Sequence, residues 1–86
     1  HAEKRKQKIK KSNRCPYCDG PLGAEPHLDH IFPVERGGDS REANLVYVCS
    51  SCNLRKGSMT LAMFLRSEGL DRDEVEYRLL ELGKEF

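Results

Sequence analysis

Apolar positions recur with two different periods along this 86-residue chain. Residues 27–34 and 45–48 are short runs rich in β-favouring side chains, and each is bounded by turn residues, so they predict two strands. Pro33 should stop the first strand because it lacks a backbone N–H. The Gly-Gly-Asp-Ser sequence at 37–40 predicts a loop between the strands.

The C-terminal half carries start and stop signals for helices. A short helix is predicted to begin at a cap formed by Ser50 or Ser51 and to end at Gly57. A second helix should be capped by Thr60 and run to about Gly69.

The third of these helices has the clearest start signal. Asp71 is a good N-cap, Glu74 occupies the capping-box position, and Leu70 is placed to pack on Val75. Gly83 should end this helix. The inner faces of the last two helices are predicted to close the core with Leu61, Phe64, Leu65, Val75, Leu79 and Leu82.

The N-terminal residues are unlike the rest of the chain in charge. Residues 2–11 are mostly strong helix formers and predict a polar, basic helix. Residues 1–14 hold seven basic side chains against one acidic, whereas residues 15–86 hold 8 basic and 13 acidic side chains. A basic arm on an acidic body favours a nucleic-acid partner, with a solvated helix face as the alternative. The candidate contacts in this arm are Lys4, Lys8 and Lys11.

Composition places limits on the core and on the cellular setting. Only 37% of the residues are hydrophobic, and a structural metal often supplements so thin a core. The chain has neither an apolar run long enough to span a bilayer nor the apolar segment of a signal peptide at its start. We therefore expect a cytoplasmic, intracellular protein with no membrane partner, in which paired cysteines bind metal rather than form disulfides.

Four cysteines form two chelating pairs, Cys15-Pro-Tyr-Cys18 and Cys49-Ser-Ser-Cys52. This spacing lets both thiolates of a pair reach one tetrahedral ion, and four thiolates saturate zinc. The sequence therefore predicts a closed, structural zinc site, with disulfides or free thiols as the alternatives. Thirty residues separate the pairs, so the two strands must fold between them.

The residues inside this zinc loop carry a second pattern. It comprises Asp29-His30-Ile31-Phe32-Pro33, then Gly37-Gly38, Asn44-Leu45-Val46, Asn53 directly after Cys52, and Lys56-Gly57. The pattern resembles the HNH endonuclease family, and its spacing is also similar to the HNH domain of RNA-guided CRISPR nucleases. The resemblance covers residues 15–57, about half of the chain. It implies an α+β fold of the ββα-metal type. It also implies a protein encoded by a prokaryote or a phage.

The resemblance also implies roles for individual residues. Asp29 and Asn53 would bind the catalytic metal, His30 would be the general base, and Asn44 would support the loop and orient the base. Asn53 stands where the family's nominal second His would be, as in many members. Oxygen ligands of this kind suit Mg²⁺ or Mn²⁺, and a His has a pKa near neutrality, as a base requires.

Each assignment has a plainer alternative. Asp29 and His30 should point to opposite faces of a regular strand, so the strand must twist or end there. His27 shares the face of Asp29 and is a candidate extra metal ligand, or else a partly exposed strand residue. Lys56 is a candidate phosphate contact on the same side as Asn53, or else a solvated helix end.

Four further side chains have weaker assignments. Arg55 and Arg36 are lesser candidates for phosphate contact, whereas Tyr17 and Tyr47 should pack around the zinc and the strands.

These observations predict one domain over residues 1–86, with a basic arm (1–14), a zinc-bound core (15–57) and a helical extension (58–86). Its predicted function is metal-dependent hydrolysis of DNA, expected to be double-stranded, by a monomer or weak dimer. The alternatives are a non-catalytic zinc module that binds nucleic acid, and the catalytic domain of a larger RNA-guided or helicase-linked nuclease.

Overall fold

The computed structural model of the chain describes Ile9 and residues 11–86. Within this part the elements run in the order β1 (His27–His30), two 3₁₀ helices (Val34–Arg36 and Glu42–Asn44), β2 (Leu45–Val48), α1 (Ser50–Lys56), α2 (Leu61–Glu68) and α3 (Arg72–Glu81). The predicted small α+β fold is confirmed over the described residues. The predicted N-terminal helix lies outside them except for Ile9 and Lys11, as do Lys4 and Lys8.

The two strands form an antiparallel hairpin. Asp29 pairs with Val46, and His30 pairs with Leu45. Val46 and Val48 are buried, which agrees with the β-branched composition that predicted this strand. Strand β1 therefore lies against a strand that is anchored in the core.

Strand β1 ends at His30, three residues before Pro33, so the predicted strand over residues 27–34, stopped by Pro33, is too long. Pro33, with φ of −64°, begins a 3₁₀ helix that turns the chain away from the sheet. The Ile31 N–H donates to the Asn44 carbonyl at 2.9 Å, just beyond the end of the strand. The early end of β1 leaves His30 at the boundary between strand and loop.

Helix α1 has a different cap from the predicted Ser50 or Ser51. Its N-cap is Cys49, whose Sγ accepts a hydrogen bond from the Cys52 N–H at 3.4 Å. The sulfur takes the place of the usual side-chain oxygen. The predicted end at Gly57 is confirmed, with a φ of +50° that glycine tolerates.

Helices α2 and α3 follow their predicted signals. The Thr60 side chain accepts from the Met63 N–H, and the Asp71 side chain accepts from the Glu74 N–H. Their buried apolar residues join one core with the hairpin and the cysteines, which comprises Cys15, Tyr17, Leu22, Ile31, Val46, Val48, Cys52, Leu61, Phe64, Leu65, Val75 and Leu79. Leu82 is only partly buried against this core. Among the described residues, no helix has the length and apolar character needed to cross a membrane.

The loop after His30 folds back on itself so closely that one position admits only glycine. A Cβ added at Gly38 would lie 1.9 Å from the Phe32 carbonyl oxygen and 2.8 Å from that of Pro33. The Gly38 N–H donates to the same Pro33 oxygen at 2.9 Å. Residues 32–38 therefore form a tight turn that depends on the missing side chain.

We expect Gly38→Ala to destabilise the folded protein by about 3 kcal/mol, because backbone atoms must move to admit the methyl group. Chemical denaturation of the metal-loaded protein measures this loss. Gly23→Ala is the matched control, since Gly23 has a positive φ but open space at its Cβ. That control should cost about 1–2 kcal/mol, the ordinary penalty of a left-handed backbone, and equal losses at the two sites would contradict the steric explanation.

Candidate active site

The four cysteines converge on one point, as the two-pair spacing predicts. Their sulfur atoms all lie within 4.8 Å of one another, and Cys18 Sγ is 3.8 Å from Cys49 Sγ. Zinc with sulfur ligands at about 2.3 Å places those ligands about 3.8 Å apart. All four residues are free thiols rather than disulfides. The donor set and the spacing therefore fit a closed tetrahedral zinc site.

Two local structures bring the cysteine pairs together. The first pair lies on a turn closed by hydrogen bonds from the Asp19 N–H to the Cys15 carbonyl and from the Cys15 N–H to the Gly20 carbonyl, both 2.8 Å. We call residues 15–20 the zinc-binding turn, after the metal that the cysteine cluster fits. The second pair lies at the start of α1. Because α1 also carries Asn53, the cysteine cluster is directly connected to the candidate active site.

Burial raises the pKa of the Cys15 and Cys52 thiols. A desolvated thiolate is unfavourable without a cation, so both thiols keep their protons near neutral pH. Zinc binding must displace these protons.

Three of the candidate site residues line one cavity of about 220 Å³ beside the hairpin, whereas Asn44 does not. Asp29 and His30 from β1 and Asn53 from α1 all border it, together with Glu35 from the first 3₁₀ helix. The strand ends at His30, which resolves the opposite-faces problem posed by a regular strand. The cavity thus brings a carboxylate, an imidazole and an amide together.

Asp29 is almost completely buried and has three side-chain partners. The Tyr17 hydroxyl donates to its Oδ2 at 2.6 Å, Lys56 Nζ lies 3.2 Å from the same oxygen, and Asn53 Nδ2 donates to Oδ1 at 3.3 Å. Burial, followed by the Asp29 charge, raises the pKa of Tyr17 well above its usual value. Tyr17 therefore remains a hydroxyl that can donate.

Lys56 does not lie on the surface, so both its predicted phosphate contact and its solvated alternative are wrong. The side chain is 1% exposed, and its Nζ donates to the His30 carbonyl at 2.9 Å. Its charge is paired with Asp29 inside the protein. Removing one member of such a buried pair costs roughly 3–5 kcal/mol because the other charge is left uncompensated. Lys56 therefore supports Asp29 from within.

The side chains of Asn53 and His27 are in contact at the start of strand β1. His27 Nδ1 lies 3.0 Å from Asn53 Oδ1, while Asn53 Nδ2 reaches Asp29. His27 is exposed and shares the face of Asp29, in agreement with the two-residue strand period. The contact orients the Asn53 amide, whose oxygen is the candidate ligand atom.

His30 and Asn44 are both tied to the loop between the strands. His30 Nε2 lies 3.0 Å from Ser40 Oγ. Buried Asn44 accepts from the Phe32 N–H and donates to the Phe32 and Asp39 carbonyls, at 2.7 to 3.0 Å. Asn44 thus holds both ends of the loop that places Ser40 beside His30.

The remaining candidates for nucleic-acid contact lie elsewhere on the surface. Arg36 donates to the Ser58 carbonyl at 2.7 Å, and Lys11 Nζ lies over the Tyr47 ring at 5.1 Å. Arg55 donates to Glu68 and Ser51, and its Nη2 lies 3.7 Å from Cys52 Sγ. Arg55 thus has acidic and sulfur partners within the fold.

The model of the family described as HNH endonuclease matches residues 15–59, just over half of the chain. The chain belongs to the HNH endonuclease family. The match contains the cysteine cluster, the hairpin and α1, so this nuclease family's characteristic segment coincides with the candidate site.

Two relatives of this HNH chain are described as CRISPR-associated endonuclease Cas9. The protein from Corynebacterium diphtheriae is 31% identical over 75 residues, which cover 84% of the chain. The protein from Actinomyces naeslundii is 36% identical over 58 residues, which cover 65% of the chain. The chain spans only 7% and 5% of these relatives' lengths. Solved structures gave no significant match.

Some residues around the HNH site were not predicted from the sequence. Tyr17 was expected only to pack, and neither Ser40 nor Glu35 had an assigned role. The presence of Tyr17 between two of the clustered cysteines was the available signal, because such a turn holds its side chains in fixed directions. Ser40 and Glu35 carried no comparable signal, since their positions depend on how the loop folds.

We expect one zinc per chain, and we expect its removal by a strong chelator to unfold the hairpin and α1, because four sulfurs would lose their shared partner. Zinc analysis and circular dichroism follow the two events, which should coincide and reverse when zinc is restored. A reducing agent alone should leave the structure intact. Loss of structure with the reducing agent alone would indicate disulfides instead.

Zinc affinity should rise with pH, because zinc binds thiolates and must displace the thiol protons, which burial in the fold favours further at Cys15 and Cys52 by raising their pKa. Displacing at least two protons corresponds to at least about a 100-fold rise in affinity per pH unit below those pKa values. Competition with a chelator, corrected for the chelator's own protonation, measures the slope between pH 6 and 7. A pH-independent affinity would contradict binding by protonated thiols.

Proposed function

We propose that this chain is the catalytic domain of a nuclease that uses a divalent cation to hydrolyse DNA. The observation that supports this most strongly is the shared cavity bordered by Asp29, His30 and Asn53. A domain that only bound nucleic acid would not need an imidazole, a carboxylate and an amide gathered at one point. Membership of the HNH endonuclease family supports the same reaction class.

The oxygen donors at this cavity fit Mg²⁺ or Mn²⁺. Asp29 offers a carboxylate whose Oδ1 lies on the Asn53 side, and Asn53 offers an amide oxygen. Hard cations prefer such ligands, and they keep several waters, for which the cavity has room. When bound, the cation would supply positive charge beside the phosphate and the leaving oxygen.

His30 is the proposed general base. A neutral imidazole has one N–H and one lone pair. With Nε2–H donating to Ser40 Oγ, the lone pair lies on Nδ1, which can take a proton from the attacking water. Asn44 supports this arrangement by holding the loop that carries Ser40. In-line attack would leave a 5′-phosphate and a 3′-hydroxyl.

His27 and Asn53 form the proposed outer edge of this site. The His27 contact turns the Asn53 oxygen toward the edge of the hairpin, and His27 can join the ligand set or contact phosphate itself. Arg36, Arg55 and Lys11 are proposed DNA contacts of lesser strength, to which Lys4 and Lys8 would add positive charge.

The proposed setting is a larger intracellular nuclease. Both relatives are named as CRISPR-associated endonucleases and are far longer than the chain. We infer that residues 15–57 form the catalytic core of one domain, with residues 1–14 and 58–86 as its extensions. One site of this kind cuts one strand, so the chain acting as a monomer should nick double-stranded DNA.

We expect the wild-type chain to convert supercoiled plasmid to the nicked form with Mg²⁺ or Mn²⁺. His30→Ala should lower the rate at least about 100-fold, because the base is lost. Gel electrophoresis over time measures both rates.

Tyr77→Phe is the control, since Tyr77 is 63% exposed on α3. This variant should nick as fast as wild type. An inactive wild type under both metals, or equal rates for wild type and His30→Ala, would overturn the nuclease proposal and favour a binding module.

A further inference from the structure

The zinc-binding turn reaches into the candidate active site through one side chain. Tyr17 lies between the ligands Cys15 and Cys18, and its side chain is fully buried. Its hydroxyl donates to Asp29 Oδ2 at 2.6 Å, across 12 residues of sequence. A residue of the zinc-binding turn is therefore in direct contact with Asp29, a proposed ligand of the catalytic metal.

Tyr17 is held from two other directions. The Arg78 guanidinium donates to the Pro16 carbonyl at 2.8 Å and to the Tyr17 carbonyl at 3.2 Å. The Tyr17 ring packs against Phe64 with ring centres 5.5 Å apart. Helices α2 and α3 thus fix the backbone and the ring, so the hydroxyl has little freedom to follow a moving carboxylate.

The two oxygens of Asp29 have different surroundings. Oδ2 receives Tyr17 and Lys56, both of them buried donors. Oδ1 faces Asn53, which borders the cavity. Because Oδ2 has two interior partners, the carboxylate plane is set, and we take Oδ1, whose donor Asn53 borders the cavity, as the oxygen available to a cation.

We propose that Tyr17 is a positioning residue that orients Asp29 for the divalent cation, so that the zinc-binding turn controls the affinity of the catalytic site for its metal. This inference rests on the proposed function, in which Asp29 is a metal ligand. The turn does more than stabilise the fold, because its Tyr17 hydroxyl also donates a hydrogen bond to the ligand carboxylate of Asp29. Hydrogen bonds of this kind to metal ligands change metal affinity by about 10- to 100-fold.

The test is Tyr17→Phe, which removes only the hydroxyl and keeps the ring against Phe64. The probe is Mn²⁺ added to the zinc-loaded chain, with free Mn²⁺ measured by electron paramagnetic resonance. We expect about tenfold weaker Mn²⁺ binding, with zinc content unchanged at one per chain. In plasmid nicking, the Mn²⁺ concentration for half-maximal rate should rise by a similar factor, while the rate at saturating Mn²⁺ changes much less.

Two further variants separate the possible failures. Tyr77→Phe should bind Mn²⁺ as wild type does, and Asp29→Asn should bind it much more weakly than Tyr17→Phe. If Asp29→Asn weakens binding but Tyr17→Phe stays within twofold of wild type, the positioning role is overturned while the proposed function stands. If Asp29→Asn binds Mn²⁺ as wild type does, the metal assignment itself is overturned. Loss of zinc from Tyr17→Phe would also overturn the inference, because the tyrosine would then serve the zinc site alone.

Discussion

The convergence of four sulfurs is the constraint on which the other parts of this fold depend. It joins a turn at residues 15–20 to the start of a helix at residue 50, and the hairpin must close between them. A chain of this size buries a small fraction of its surface, so it has few other means of holding these two parts together. The core includes Cys15 and Cys52 as ordinary buried members, so the cluster is part of the packing as well as a cross-link.

Buried polar contacts then fix the relative orientation of the elements that pack on this small core. Apolar packing tolerates small displacements, whereas the Asp29 carboxylate has donors at both oxygens and the Asn44 amide satisfies three backbone groups. Breaking such networks leaves charged or polar groups without water or partners, which is more costly than loosening an apolar contact. The hairpin, α1 and the intervening loop are thus held in one relative arrangement around the cavity.

Local signals allowed the helices to be predicted well, and non-local contacts account for the errors. Thr60, Asp71 and Gly69 act within a few residues of themselves, so their caps could be predicted from spacing alone. Strand β1 ended early because the loop it leads into is held by Asn44, from the far side of the hairpin. Lys56 was placed on the surface because its partners Asp29 and His30 lie more than twenty residues away in sequence. A helical position next to a glycine gave no sign of a buried ion pair.

The use of Cys49 as a helix cap has a consequence for how the protein assembles. Serine or aspartate would begin α1 with an oxygen that is present at any time, whereas here the acceptor is a thiol sulfur that also belongs to the cysteine cluster. A sulfur is a weak acceptor while protonated and a far better one as a thiolate, and a negative charge at this position also favours the helix dipole. Metal uptake and initiation of the helix that carries Asn53 should therefore occur as one step during maturation, and a newly made chain would remain without its complete cavity until that step takes place.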